Sequence, residues 1–214
     1  MIEVKCFVCN MLQENCYVVS DDSRECVVVD CGAFYPEDRE AIVGYIRENH
    51  LRPVRLLCTH GHLDHNFGND TLLREFGLQP EVAKADGRMM ENARQQAKAF
   101  YGLELDYELP AVGRYLEPNE TIGFGSHTLR VLPTPGHSRG SVVFHCESER
   151  VAFTGDTLFR NSIGRTDLES GSMMQIIQSL RMLAQLPDET IVYPGHGPQT
   201  TIGEELASNP FMDR

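Results

Sequence analysis

The chain has 214 residues, enough for one large domain with a sizeable core. Its apolar share of 41%, alongside 18 glycines, is that of an ordinary soluble domain and argues against disorder. With 19 basic against 31 acidic residues the formal net charge is −12, which excludes a general nucleic-acid or anionic-membrane surface.

Strand patterns are predicted at 2–9, 16–20, 26–30, 54–58, 80–83, 120–124, 127–133, 140–146, 150–154 and 190–193. Helical patterns fall between them. Residues 36–50 open with Pro36 and acids, and Ile42, Val43 and Ile46 share one face. Residues 66–77 end at Gly77, and 86–102 end at Gly102. Residues 171–187 stop before Pro187, and 200–210 form a short last helix. Strands with helices, a helical insertion, more strands and a helix–strand–helix close predict an α/β fold. Its two sheets should pack face to face with helices outside. Residues 84–115, with Met89, Met90, Phe100, Tyr101, Tyr107 and Tyr115, read equally as packing or as a lid. No linker splits the chain, so 1–214 is expected to be a single domain.

No apolar run reaches the ~20 residues of a membrane span, and the start alternates like a strand instead of reading as a signal peptide. The seven cysteines are odd in number and mostly lie in apolar strand-like runs, as reduced thiols of a cytoplasmic protein do. Cys6 and Cys9 have CxxC spacing, but a strand points them to opposite faces.

The chemistry is concentrated in four loops. "THGHLDH" places His60, His62, Asp64 and His65 directly after an apolar strand. Strand ends are where α/β proteins carry sites, and imidazole with carboxylate is a metal-binding set. "TPGHSRG" carries His137, "FTGDTLF" carries Asp156, and "YPGHGP" carries His196. Each supplies one ligand-type side chain from a glycine-bearing loop beside a strand. Five of the eight histidines sit in these loops, and His50, His127 and His145 are read as surface or helix-end residues.

In that order the motifs resemble the metallo-β-lactamase superfamily over nearly the whole chain. "VVVDCG" resembles its first motif, in which Asp30 is a structural residue behind the ligands. "FRNSIGRTDL" and "YPGHGP" followed by "NPF" resemble the glyoxalase II-like hydrolases, in particular the short bacterial type without a C-terminal helical domain. The resemblance implies a four-layer αβ/βα sandwich and two divalent ions, zinc first, iron or manganese otherwise. It implies that His60, His62 and His137 hold one ion, that Asp64, His65 and His196 hold the other, and that Asp156 bridges both. It implies hydrolysis of a thioester or ester by a metal-bridging hydroxide, with Asp64 and Asp156 as catalytic carboxylates.

Glyoxalase II enzymes carry a lysine nine residues after the bridging aspartate, and Arg165 stands there as a candidate substrate-binding residue. Their tyrosine two residues after the last histidine is replaced by Pro198. A small-molecule acyl substrate is therefore expected, with no nucleic acid, no membrane, and a monomer or homodimer. A true β-lactamase is exported and would want a signal sequence. The alternative on the same scaffold is a persulfide dioxygenase with mononuclear non-haem iron on His60, His137 and Asp156. A metal-bearing scaffold without activity is the alternative from another class.

Overall fold

The computed structural model describes residues 1–213. β1 (Glu3–Cys9), β2 (Glu14–Ser20) and β3 (Glu25–Val29) form an antiparallel meander. α1 (Pro36–Glu48) crosses over to β4 (Arg52–Leu57), and α2 (Asn69–Phe76) to β5 (Pro80–Ala83). α3 (Gly87–Glu91) and α4 (Ala93–Gln96) precede β6 (Arg114–Leu116), and β3 to β6 pair in parallel. These strands make one sheet in the order β1-β2-β3-β4-β5-β6.

The second sheet begins with β7 (Thr121–Phe124), β8 (His127–Pro133), β9 (Val142–Cys146) and β10 (Val151–Gly155), all antiparallel. The small hairpin β11 (Leu158–Phe159) and β12 (Ser162–Ile163) and then α5 (Met173–Leu183) follow. β13 (Ile191–Pro194) joins β10 in parallel, β14 (Thr200–Thr201) lies at its edge, and α6 (Ile202–Ser208) closes the chain. The sheet order is β14-β13-β10-β9-β8-β7.

Three apolar interfaces hold the layers. Val19, Val27 and Leu57 of the first sheet meet Phe124, Leu129, Phe144 and Phe153 of the second. On the outer face of the first sheet, Val18, Val28 and Leu56 pack on Ile42 and Ile46 of α1 and Leu72 of α2. On the outer face of the second, Val143, Ala152 and Val192 pack on Leu180 and Leu183 of α5 and Ile202 of α6. Each sheet is thus covered on both faces, and the architecture is the expected αβ/βα sandwich. Burying such a side chain contributes roughly 1.5–3 kcal/mol, so these seams dominate stability.

The local signals act as their chemistry requires. Pro36 opens α1 with Glu37 and Asp38 in its first turn, and Asp38 accepts from the Tyr35 N–H at 3.3 Å. Gly77 ends α2 at φ 72°, the left-handed cap only glycine adopts freely. The Ser172 and Thr201 hydroxyls accept from N–H groups in the first turns of α5 and α6.

Some expectations are corrected. All ten predicted strands form, but β6, β11, β12 and β14 are additional; at two or three residues they carry no readable alternation. The helix expected over 86–102 is broken. Asn92 ends α3, and its carbonyl accepts from Gln95 and Gln96 in α4, while Ala97–Tyr101 is a wider turn stopped by Gly102 at φ 65°. His145 is buried in β9 and not at the surface, because both faces of that strand are covered. His127 is bracketed by Asp21 at 2.9 Å and Glu149 at 2.8 Å. No helix is long and apolar enough to cross a membrane among the described residues.

Candidate metal centre

The four ligand-type loops meet at one edge between the sheets. β4 ends at Leu57 and runs into Thr59–His62, and a single helical turn, Leu63–His65, then redirects the chain. His137 lies in the connection from β8 to β9. β10 and β13 run parallel, so their C-terminal ends deliver Asp156 and His196 to the same side. This is the position at which open α/β sheets place ligands.

All seven side chains singled out as ligands come together. His60, His62 and His137 form one group, Asp64, His65 and His196 a second, and His60, His65 and Asp156 a third. Within each, the ligand atoms lie within 4.8 Å of one another. His62 Nδ1 faces His137 Nε2 at 2.7 Å. Asp156 Oδ1 is 3.3 Å from His65 Nε2, while its Oδ2 is 3.5 Å from His137 Nε2 and 3.7 Å from His196 Nε2. Asp64 Oδ2 lies 3.4 Å from His196 Nε2. Asp156 therefore lies between the two groups, with Oδ1 toward His65 and Oδ2 toward both His137 and His196.

A divalent cation pair fits this arrangement. His60 Nε2, His65 Nε2 and Asp156 Oδ1 are buried without a hydrogen-bond partner, which is costly unless an ion completes them. The other ring nitrogens are occupied: His65 Nδ1 faces Asp30 Oδ2 at 3.0 Å, His137 Nδ1 donates to the Arg165 carbonyl at 2.8 Å, and His196 Nδ1 donates to the Leu12 carbonyl at 3.0 Å. Binding at Nδ1 turns the Nε2 of these three rings inward, the usual arrangement behind a metal-bound imidazole.

Charge separates the two halves. Burial, and then His65 and His62, push His60 well below the ordinary imidazole range; burial and His137 take His62 down to about 4. These rings are neutral and ready to ligate. Burial also opposes charge on His65, but Asp156 and Asp64 outweigh it and raise the group well above its usual value. For Asp156, burial is outweighed by His65 and His137, and the carboxyl is held well below its ordinary range.

The backbone is shaped to this packing. Asp30, just after β3, is held at φ 54°, a strained conformation for a non-glycine residue. There its carboxylate accepts from Thr59 N at 2.7 Å and Thr59 Oγ1 at 2.8 Å while facing His65. At Gly195 an added Cβ would sit 2.3 Å from Asp156 Oδ1, and at Gly155 (φ 47°) 2.3 Å from Thr59 Oγ1.

Arg165 is brought near the centre through its carbonyl. Its guanidinium lies on Asp167 with two bonds of 2.7 Å and not in the cavity. Several contributors carried no sequence signal. Glu14, fully buried, accepts from Gly32 N at 3.1 Å and places Oε1 3.9 Å from His65 Nδ1; burial holds this carboxyl well above its usual range. The Tyr101 hydroxyl donates to Asp64 Oδ1 at 3.2 Å. Gln96 accepts from Leu63 N and donates to the Gly61 carbonyl, both at 3.1 Å. The 84–115 segment thus packs on the His60–His65 loop, with Leu63 and Phe67 against Ala93, Ala97 and Leu105.

The metallo-beta-lactamase superfamily model matches residues 9–196. The chain belongs to this superfamily. It is 35% identical over 204 residues to the hydroxyacylglutathione hydrolase GloC of Haemophilus influenzae, covering 94% of this chain and 93% of that one. Among solved structures it is similar to the B3 metallo-beta-lactamase BLEG-1, with TM-score 0.89, 33% identity and coverage of 99% of this chain and 100% of that one. It is also similar to TTHA1623, solved in a di-iron-bound form, with TM-score 0.86, 36% identity and coverage of 98% and 100%. Membership makes the chain a metallo-hydrolase superfamily protein with a divalent-metal centre, and the histidine–aspartate clusters lie where such a centre belongs.

Proposed function

We propose that this protein is a glyoxalase II-like thioesterase that hydrolyses a small acyl thioester at a two-ion centre. The observation that carries this reading is the position of Asp156 between two groups of inward-facing imidazole nitrogens, those of His60 and His65 without a hydrogen-bond partner. His60, His62 and His137 would hold one ion, Asp64, His65 and His196 the other, with zinc first and iron or manganese as the alternatives. Two divalent ions held there would supply an acidified water and Lewis acidity toward a substrate carbonyl. The likeness to GloC supports a thioester over other acyl groups.

The chain's own residues do the positioning. Asp156 and Asp64 bring negative charge to offset the ions. Asp64 is held ionised against burial by His65 and His196, and it keeps Oδ2 toward those rings while Tyr101 fixes Oδ1. In that state Asp64 can accept a hydrogen bond from an attacking water and hold it in line with the substrate carbonyl. Asp30 and the Arg165 carbonyl keep His65 and His137 from rotating. The free cysteines, all buried except Cys6, fit a reducing cytoplasm.

Assaying the metal-loaded protein on thioesters, lactones and a β-lactam tests this. Thioester turnover well above the rest is expected. Turnover of the β-lactam alone, or of nothing, would overturn it. A second reading, iron-dependent persulfide dioxygenation on His60, His137 and Asp156, draws on the di-iron form of TTHA1623. Oxygen uptake with glutathione persulfide under iron loading would support it, and no uptake removes it.

A further inference from the structure

We propose that Arg88 and Arg139 form a carboxylate-binding wall that selects acyl substrates with an acidic group away from the scissile bond. The inference rests on the hydrolytic reading of the same centre. A cavity of ≈ 520 Å³ opens beside His62, and Arg88, Arg139, Met89, Asn92 and Phe100 line it. Both arginines are solvent-exposed, and neither has an acidic partner among the described residues. In a chain of net charge −12, most arginines are paired: Arg39, Arg47, Arg52, Arg55, Arg74, Arg94, Arg114, Arg150, Arg165 and Arg181 all meet a carboxylate. Two unpaired guanidinium groups on one cavity wall are a local reversal of the surface charge. The one acid in the lining, Glu169, pairs with neither.

The wall is built. Asp86, fully buried, accepts from Gly61 N at 2.9 Å, from Ser138 Oγ at 2.6 Å and from Gly140 N at 2.7 Å. Its carboxylate therefore grips the residues on both sides of Arg139, two positions before Arg88 leaves the same segment. The Gly61 bond ties this frame to the loop that carries His60 and His62. The backbone that carries Arg88 and Arg139 is thus tied to the ion-binding loop, and each side chain offers a planar fork suited to a carboxylate. Arg165, spent on Asp167, leaves this task open.

Two probe pairs, measured by calorimetry on metal-loaded protein with chromatography confirming that the methyl esters stay intact, read recognition apart from hydrolysis. S-hexylglutathione against its dimethyl ester tests a carboxylate on the thiol half. Adipate monomethyl ester against the dimethyl ester tests one on the acyl half. The acid should bind at least about tenfold tighter than the ester in one pair, the scale of one charge-assisted hydrogen bond. In R88Q/R139Q that preference should fall to within about twofold, while R88K/R139K keeps part of it and Arg130→Gln on β8 keeps all of it. Equal binding within both pairs, binding of no probe, or a preference that survives R88Q/R139Q overturns the inference. A protein that discriminates the probes yet hydrolyses no thioester would sink the hydrolytic reading and leave this one standing.

Discussion

Asp30 Oδ2 lies 3.0 Å from His65 Nδ1, on the side of the ring away from the cavity. The same carboxylate takes the N–H and hydroxyl of Thr59, one residue before His60. One side chain thus aligns the start of the histidine loop and orients a ring at its end. Asp30→Ala should therefore weaken the ion held with His65 by about 10- to 100-fold, the usual effect of losing a partner behind a metal-bound histidine. Competition against a chromogenic chelator checks this. Unchanged affinity for both ions would contradict the role.

Asp86 should matter for structure first. It is buried and satisfies three donors from two loops. Asp86→Ala leaves the Gly61 and Gly140 N–H groups without that partner, while the Ser138 hydroxyl keeps Ser141 Oγ at 2.8 Å, and should cost roughly 3 kcal/mol, since one charged hydrogen bond alone is worth about 1.5–3 kcal/mol. Urea unfolding of the metal-loaded protein gives the number; a loss below about 1 kcal/mol would show that the frame is not rigid.

Much of this was legible beforehand. The order of ligand-type residues in "THGHLDH", "PGHS", "TGDT" and "PGHG" announced the centre because each motif ends a strand or opens a turn, where local sequence decides conformation. The four layers followed from apolar runs separated by amphipathic helices. What could not be read is tertiary. Glu14 sits in an ordinary strand, and only the antiparallel meander brings it under His65. Asp86 lies before a glycine that resembles any helix start. Tyr101 reaches Asp64 because the insertion folds back on the loop. The guanidinium of Arg165 meets Asp167 two residues on, a choice between partner and substrate that spacing leaves open.

The Asp21 carboxyl makes a pH-dependent contribution far from the centre. Burial opposes its charge, but the Ser23 hydroxyl, the Ser126 N–H and His127 outweigh it and hold the group well below its ordinary range. A depressed carboxyl stabilises the fold above its unfolded pKa of about 3.9, and that share is lost as pH falls through the folded value. Asp21→Asn should thus cost about 1–3 kcal/mol at pH 7, with the gap to wild type narrowing below about pH 4. Urea melts at both pH values test this, and an equal gap at both would refute it.

Leu180, fully buried on α5, separates packing from chemistry. Leu180→Ala should cost about 2–5 kcal/mol of stability. Because the residue lies in the seam between α5 and the second sheet, ion content at 25 °C should stay at the wild-type level. Thermal unfolding together with metal analysis reads both quantities, and loss of ions without loss of stability would be the unexpected result.

The two-ion hydrolase reading is tested most directly by adding zinc stepwise to metal-free protein while following thioester hydrolysis. Activity should climb to its plateau only as the second equivalent binds, and Asp156→Ala should lose most of it at any loading. Full turnover at one equivalent, or an Asp156→Ala variant as active as wild type, would contradict the bridging role assigned to Asp156 and with it the two-ion centre.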